Sequence, residues 1–322
     1  MTPKERAVAA FELREPDDIV PTFELQFQLA DELLGKSHVS QESLDKAGPK
    51  ERERLLRENA EIYVEEAEAL DYSIVALQYG PGGRGQNMIE TIREVKRLVG
   101  RERLIGIGAD GTMSIPNGGE MVDLAVRLCE NPEGEKERLE AALNDRIEAV
   151  KPLVEAGADT VLMCADYCFN SGPFLSPKMF REFVTPYLTR QCAAFREMGL
   201  YTVNHTDGDI MPILDQLVEA GSHALHSLDP MAGVSLKEVK KLVGDKIALC
   251  GNVNCAILQT GTVDDTIADS KRALRDGMPG GGFFFTTSNT PFKGMPLENY
   301  LAMLDVRKQY GRYDTKRLSV EG

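Results

Sequence analysis

The sequence predicts a single (β/α)8 barrel, and three observations carry that prediction. Eight apolar, β-rich runs recur along the chain, at 18–27, 73–78, 104–110, 160–166, 200–207, 224–229, 247–255 and 282–289. Stretches of helical periodicity separate them, which is the alternation of a parallel α/β fold. Nearly every run ends in a polar or metal-capable side chain: Glu24, Gln78, Asp110, Cys164 with Asp166, His205 with Asp207, Asp229, Cys255 and Asn289. In such a barrel the active site lies at the C-terminal ends of the strands, so chemistry is expected at those residues. A chain of 322 residues with 42% hydrophobic content fits one such domain over 1–322, and no linker, low-complexity tract or short repeat divides it.

The elements follow in order. Residues 1–14 read as a helix, with Thr2 as cap and Pro3 in the first turn, expected to plug the barrel bottom or lie beside the first strand. That opening lacks the character of a signal peptide. A long connection covers 28–70, and its charged part, 41–66, is expected to form a helical flap over the mouth. Within it, Lys50-Glu51-Arg52-Glu53-Arg54 mixes signs at helical spacing, as a solvated face does. The run Gly80-Pro81-Gly82-Gly83-Arg84-Gly85 lacks the Lys-Ser/Thr ending of a nucleotide loop, and Pro81 removes a donor. It reads as a loop beside the site. Helices are expected at 121–129 and 132–155, then from Pro177, with Ser176 as its cap. Those at 212–220, 236–242, 263–276 and 297–310 complete the alternation.

Composition excludes several function classes. A net charge of −14 argues against a grip on nucleic acid, and against a polyanionic substrate unless basic residues converge locally. No apolar stretch is long enough to span a bilayer. Six cysteines in so long a chain fit a reducing cytoplasm.

The richest strand end is Asn204-His205-Thr206-Asp207-Gly208. Side chains two apart on a strand point the same way, so His205 and Asp207 can converge on one ion or one substrate atom. Cys164 and Asp166 repeat that spacing on the neighbouring strand. Cys255 lies far enough out to reach a metal, whereas Cys250 reads as a small buried hydrophobe. Glu24, between Phe23 and Leu25, needs a partner: a metal, a proton-transfer role or an arginine. A mixed His, carboxylate and Cys set suits zinc better than magnesium or calcium. The candidate ligands are His205, Asp207, Cys255 and Glu24; the candidate acids and bases are Glu24, Asp166 and Asp207. Phe23, Phe27, Tyr79, Tyr167 and Phe169 near the mouth serve either an aryl pocket or core packing, and Asn289 is a further candidate substrate contact. His226 is expected near the mouth and His223 deeper; neither His223 nor His38 is given a catalytic role.

Several segments together resemble the uroporphyrinogen decarboxylase superfamily over essentially the whole chain. They are Met1-Thr2-Pro3-Lys4-Glu5-Arg6, Asp17-Asp18-Ile19-Val20-Pro21, Leu175-Ser176-Pro177-Lys178-Met179-Phe180, His205-Thr206-Asp207-Gly208, Gly251-Asn252-Val253 and Pro296-Leu297-Glu298-Asn299. The resemblance implies one of two activities. True decarboxylases of the family carry an Arg-Gln-x-x-Gly-Arg segment, where this chain reads Phe23-Glu24-Leu25-Gln26-Phe27-Gln28-Leu29. Their Asp after the second strand is met by Gln78-Tyr79, and their last-loop His by Ser288-Asn289. The other branch implies zinc-dependent methyl transfer with a corrinoid protein. Its thiol-methylating members use His-x-Cys and a later Cys, where this chain has His205-x-Asp207 and Thr287-Ser288. Members that demethylate methyl ethers use carboxylate-containing ligand sets and are more similar. The expectation is therefore a cytoplasmic zinc methyltransferase that moves a methyl group from a small methylated substrate, an aryl methyl ether, to a corrinoid (cobalamin) carried by a partner protein. A homodimer is the expected assembly.

Overall fold

The computed structural model describes residues 1–77 and 85–313. Its strands are β1 (Ile74–Ala76), β2 (Leu104–Gly108), β3 (Thr160–Cys164), β4 (Cys168–Phe169), β5 (Gly172–Pro173), β6 (Tyr201–His205), β7 (Ala224–His226), β8 (Ala248–Val253) and β9 (Phe283–Thr287). Seven of them form one curled sheet in the order β1-β2-β3-β6-β7-β8-β9, and β4 and β5 make a separate hairpin. Every neighbouring pair of the large sheet is parallel. All seven strands therefore end at the same face, and the helices between them return the chain along the outside.

The first apolar run is not a regular strand. It nonetheless occupies the gap between the sheet's two edges. The Phe285 N–H donates to the Pro21 carbonyl at 2.9 Å, and the Ser73 N–H donates to the Thr22 carbonyl at 2.7 Å. Pro21 has no N–H to return, so a continuous ladder cannot form there. Among the described residues the run joins the sheet edges through these two hydrogen bonds, where a regular eighth strand would make several.

The N-terminal helix Pro3–Phe11 carries a capping box between Thr2 and Glu5. It plugs the bottom of the barrel. Phe11 stacks on Tyr201 at 4.7 Å and meets Phe284 at 4.6 Å. Ala7, Ala10 and Phe11 thereby join Leu104, Leu162, Val203 and Ala248 in the inner core. A larger core fills the layer between sheet and helices. The charged stretch expected as a flap forms two helices, Gln41–Lys46 and Pro49–Ala69, and the longer one is instead an outer-layer barrel helix whose Ala60, Tyr63, Val64 and Ala67 join the core beneath it. Most of the glycine-rich run lies outside the described residues, and the helix Gly85–Val99 follows it. Among the described residues no helix is long and apolar enough to cross a membrane.

The closing run is clamped from the last helix, Leu297–Tyr310. Arg307, 1% exposed, donates to the Val20 carbonyl at 2.7 Å and to Asp71 at 3.0 and 3.1 Å. Arg6 of the N-terminal helix reaches the same carboxylate at 2.6 and 2.9 Å. Burial raises the Asp71 pKa, but the two guanidinium groups outweigh it and hold the carboxyl below its ordinary range. Arg307→Ala should cost on the order of 3 kcal/mol, because it strands a buried carbonyl and part of a charge pair. Urea unfolding checks this; a loss below about 1 kcal/mol would mean that the clamp is not what holds the closing run.

Candidate active site

Register decides which side chains meet at the barrel mouth. Cys164 of β3 is paired with His205 of β6, His205 with His226 of β7, and His226 with Cys250 of β8. One layer of the barrel therefore carries two histidines side by side. Their Nδ1 atoms are 2.8 Å apart, so one ring donates to the other. Burial, and then any charge on His205, drives the His226 pKa well down, so its ring is neutral. Its Nε2 is buried without a hydrogen-bond partner.

With Nδ1 engaged from behind, His205 turns Nε2 toward the mouth. There it lies 3.8 Å from Asp207 and 3.9 Å from Asp166. Ligand atoms of all three residues lie within 4.8 Å of one another. The chain holds Asp207 through Asn289, whose Nδ2 donates to it at 2.5 Å. The Asp207 N–H in turn donates to Asp166 at 3.2 Å. Gly208, at φ +84°, turns the chain away where a Cβ would strike the Cys168 carbonyl at 2.5 Å. Burial raises the Asp207 pKa; His205 opposes that, while Asp166 and Asp229 add to it. The mouth is thus an acidic site built to receive positive charge. Its cavity of about 710 Å³ is also lined by Asp229, Cys255, Met231 and Asn289, and by no Lys or Arg among the described residues.

The structure gathers some of the sequence candidates and separates others. Asp166, His205, Asp207 and Asn289 come together, and Cys255 faces the same cavity. Burial raises the Cys255 thiol pKa, with the Ser288 hydroxyl opposing it. Glu24 is not part of the cluster. It accepts from the Thr287 N–H at 3.1 Å, the Thr287 hydroxyl at 2.6 Å and the Tyr300 hydroxyl at 3.2 Å, and lines a second cavity. Phe27 lines that second cavity too. Phe23 is fully buried among the inner core rings, 6.2 Å from His226. Tyr167 is fully buried against Phe180 and bonds Thr112 at 2.6 Å. Both rings serve the core and line neither cavity. Gln78 and Tyr79 lie outside the described residues. Phe169 is exposed on the β4–β5 hairpin. The residue that sequence reasoning passed over is His226. Its spacing along the apolar run gives no sign of a role, which appears only when β6 and β7 pair.

An α/β barrel with a His–carboxylate cluster at the C-terminal ends of its strands has the anatomy of a barrel enzyme. Residues 83–310 match the family model described as uroporphyrinogen decarboxylase (URO-D), and the chain belongs to that family. It is 26% identical over 226 residues to the uroporphyrinogen decarboxylase of Syntrophotalea carbinolica, covering 68% of this chain and 63% of that protein. Against the Aromatoleum aromaticum uroporphyrinogen decarboxylase it is 26% identical over 249 residues, covering 72% of this chain and 66% of the other. The matched region thus spans slightly less than two thirds of these relatives' lengths. A methyltransferase from Methanosarcina mazei shares the fold, with a TM-score of 0.70 and 20% identity over 96% of this chain and 99% of the other.

Burial raises the Glu24 pKa from 4.5 to about 8, against the opposing bonds from Thr287 and Tyr300. The folded chain therefore holds a proton that the unfolded chain gives up between those values. Its stabilising contribution is complete below about pH 4.5 and is lost as pH rises to about 8. Glu24→Gln should flatten this dependence, gaining on the wild type by at most about 1.4 kcal/mol per pH unit between pH 5 and 8. Urea midpoints at the two pH values test it; parallel profiles for both proteins would show that Glu24 ionises normally.

Proposed function

We propose that the chain is a zinc-dependent methyltransferase that moves a methyl group from a small methylated substrate, an aryl methyl ether, to the cobalt of a separate corrinoid protein. One observation carries the reading. The mouth offers a compact His205, Asp166 and Asp207 donor set and no basic residue among the described ones. The fold shared with the Methanosarcina mazei methyltransferase supports it. A substrate rich in carboxylates, as a porphyrinogen is, would meet Asp166, Asp207 and Asp229 there without a compensating Lys or Arg among the described residues.

The donor set fits zinc. Bonds of about 2.1 Å in a tetrahedron place ligands roughly 3.4 Å apart, so the 3.8 and 3.9 Å separations need only a small inward movement. His205 also has the backing that metal-bound histidines have, its second nitrogen fixed by a hydrogen bond. His205, Asp207 and Asp166 would hold the ion, with Cys255 facing the same cavity as a further donor. When bound, zinc supplies Lewis-acid polarisation of the ether oxygen. The chain's own residues do the rest. His226 keeps the His205 Nε2 aimed at the mouth, and Asn289 keeps Asp207 from swinging into solvent. Exposed Phe169 and Met231 give the mouth an apolar rim suited to a partner protein.

Protein purified without chelator should contain close to one equivalent of zinc, lost in His205→Ala. His226→Phe, which keeps the ring but removes the bond to Nδ1, should weaken metal affinity roughly 10- to 100-fold. Demethylation should require added Co(I) corrinoid or its carrier and appear as methylcobalamin absorbance, with Asp207→Ala slower and still folded by circular dichroism. Full activity in chelator would end the zinc reading. Coproporphyrinogen formation from uroporphyrinogen above a heat-killed control would replace methyl transfer with decarboxylation.

A further inference from the structure

A second cavity of about 340 Å³ adjoins the mouth. Gln26 and Gln28 line both spaces and bond each other at 2.8 Å, so they form the partition between them. Two buried carboxyls face the inner cavity: Glu24, 2% exposed, and Glu66, 5% exposed. Neither has a Lys or Arg partner among the described residues. Glu24 is held by Thr287 and Tyr300, and Glu66 by His38 at 3.0 Å. The one lysine at the rim, Lys293, is exposed and lies 3.5 Å from Asp31. Three rings, Phe27, Tyr63 and Tyr72, complete the lining, with small aliphatic side chains between them.

That wall selects by charge. An anion would face two acids and the negative faces of the rings. A neutral ligand would gain hydrogen bonds only. A nitrogen cation gains the ring faces and can convert a buried acid into its counter-ion. Alkyl groups on the nitrogen suit the apolar parts of the wall, and the volume matches a small-molecule site. We propose that this cavity binds an organic ammonium ion, its nitrogen held by the Glu24 and Glu66 carboxyls and its alkyl groups against Phe27, Tyr63 and Tyr72. This site is separate from the methyl-transfer site proposed above and does not rest on that reading.

Binding has a proton signature. Both carboxyls are raised by burial, Glu24 to about 8. The groups around Glu24 are Tyr72, Tyr300 and Cys255, and those around Glu66 are His38 and Tyr63. None supplies a fixed positive charge. Near pH 7 the arriving cation should expel up to one proton from Glu24 to solvent, and above pH 8 that release should fade.

The test is calorimetric titration of the chain, with no metal or corrinoid added, using choline and its uncharged isostere 3,3-dimethylbutan-1-ol. Buffers of different ionisation enthalpy count the protons. Choline should bind saturably, at least tenfold tighter than the isostere, with proton release at pH 7. Glu24→Gln should abolish the release and weaken choline tenfold or more, and Glu66→Gln should weaken choline independently if the first variant does not fold. Equal affinity for the two probes, no saturable binding of choline, or unchanged proton release in folded Glu24→Gln would overturn the proposal. Because neither metal nor corrinoid is present, such a failure leaves the methyl-transfer reading untouched.

Discussion

Parallel register is the constraint on which the site depends. Side chains on a strand alternate faces, so a slip of one residue between β6 and its neighbours would turn His205 out of the barrel. Pairing Cys164 with His205, and His205 with His226, sets the layer. Asp166 and Asp207, each two residues further on, then stand together above it. Nothing local to Asn204–Gly208 would create this arrangement. It follows from the inner core, where Leu162, Val203 and Ala224 lock the same strands two residues below.

Burial then decides which of these groups carries charge. His226 sits in the dry interior and stays neutral, so it can brace His205 without repelling a cation at the mouth. Glu24 is equally buried, and its three hydrogen bonds do not overcome the cost of ionising it at neutral pH. Asp166 and Asp207 lie further out and meet solvent, and Asp166 is more than half exposed. The order of polarity runs from a protonated Glu24 and a neutral His226 in the interior to partly exposed carboxyl groups at the rim. A positive centre placed at the mouth therefore meets carboxyl oxygens in front of it and, among the described residues, no Lys or Arg lining the cavity.

Most of the fold was legible in the sequence because apolar β-rich runs and capped helices are local signals. The seven strands fall inside seven of the expected runs, and the helix from Pro177 starts as its Ser cap and Pro dictate. The first run misled because its composition is strand-like while Pro21 denies it a ladder. Glu24 was placed with the metal candidates on its position near that run's end. Alternation tells otherwise: Phe23 and Leu25 point into the inner core, so Glu24 between them points away. Tyr167 and Phe23 were legible as aromatic but not as core, since depth depends on which helices cover them. His226 lay beyond any single-segment reading, because its role is a contact across two strands.

The closing run ties these features together. It carries Pro21 and Thr22 at the barrel seam, Glu24 in the inner cavity, and Gln26 and Gln28 in the partition. Among the described residues two backbone hydrogen bonds join it to the sheet edges, and Arg307 and the Glu24–Thr287 bonds add to its hold. Those bonds couple protonation to geometry. When Glu24 is neutral it must donate its own proton to a neighbouring oxygen, and when it ionises all its neighbours must donate to it. Thr287 and Tyr300 are the groups that would reorient, and Tyr300 is already bonded to Tyr72 at 2.5 Å. A charge entering the inner cavity would thus be felt along the run that separates the two spaces. The seam is therefore where a charge in the second cavity and the mouth can communicate.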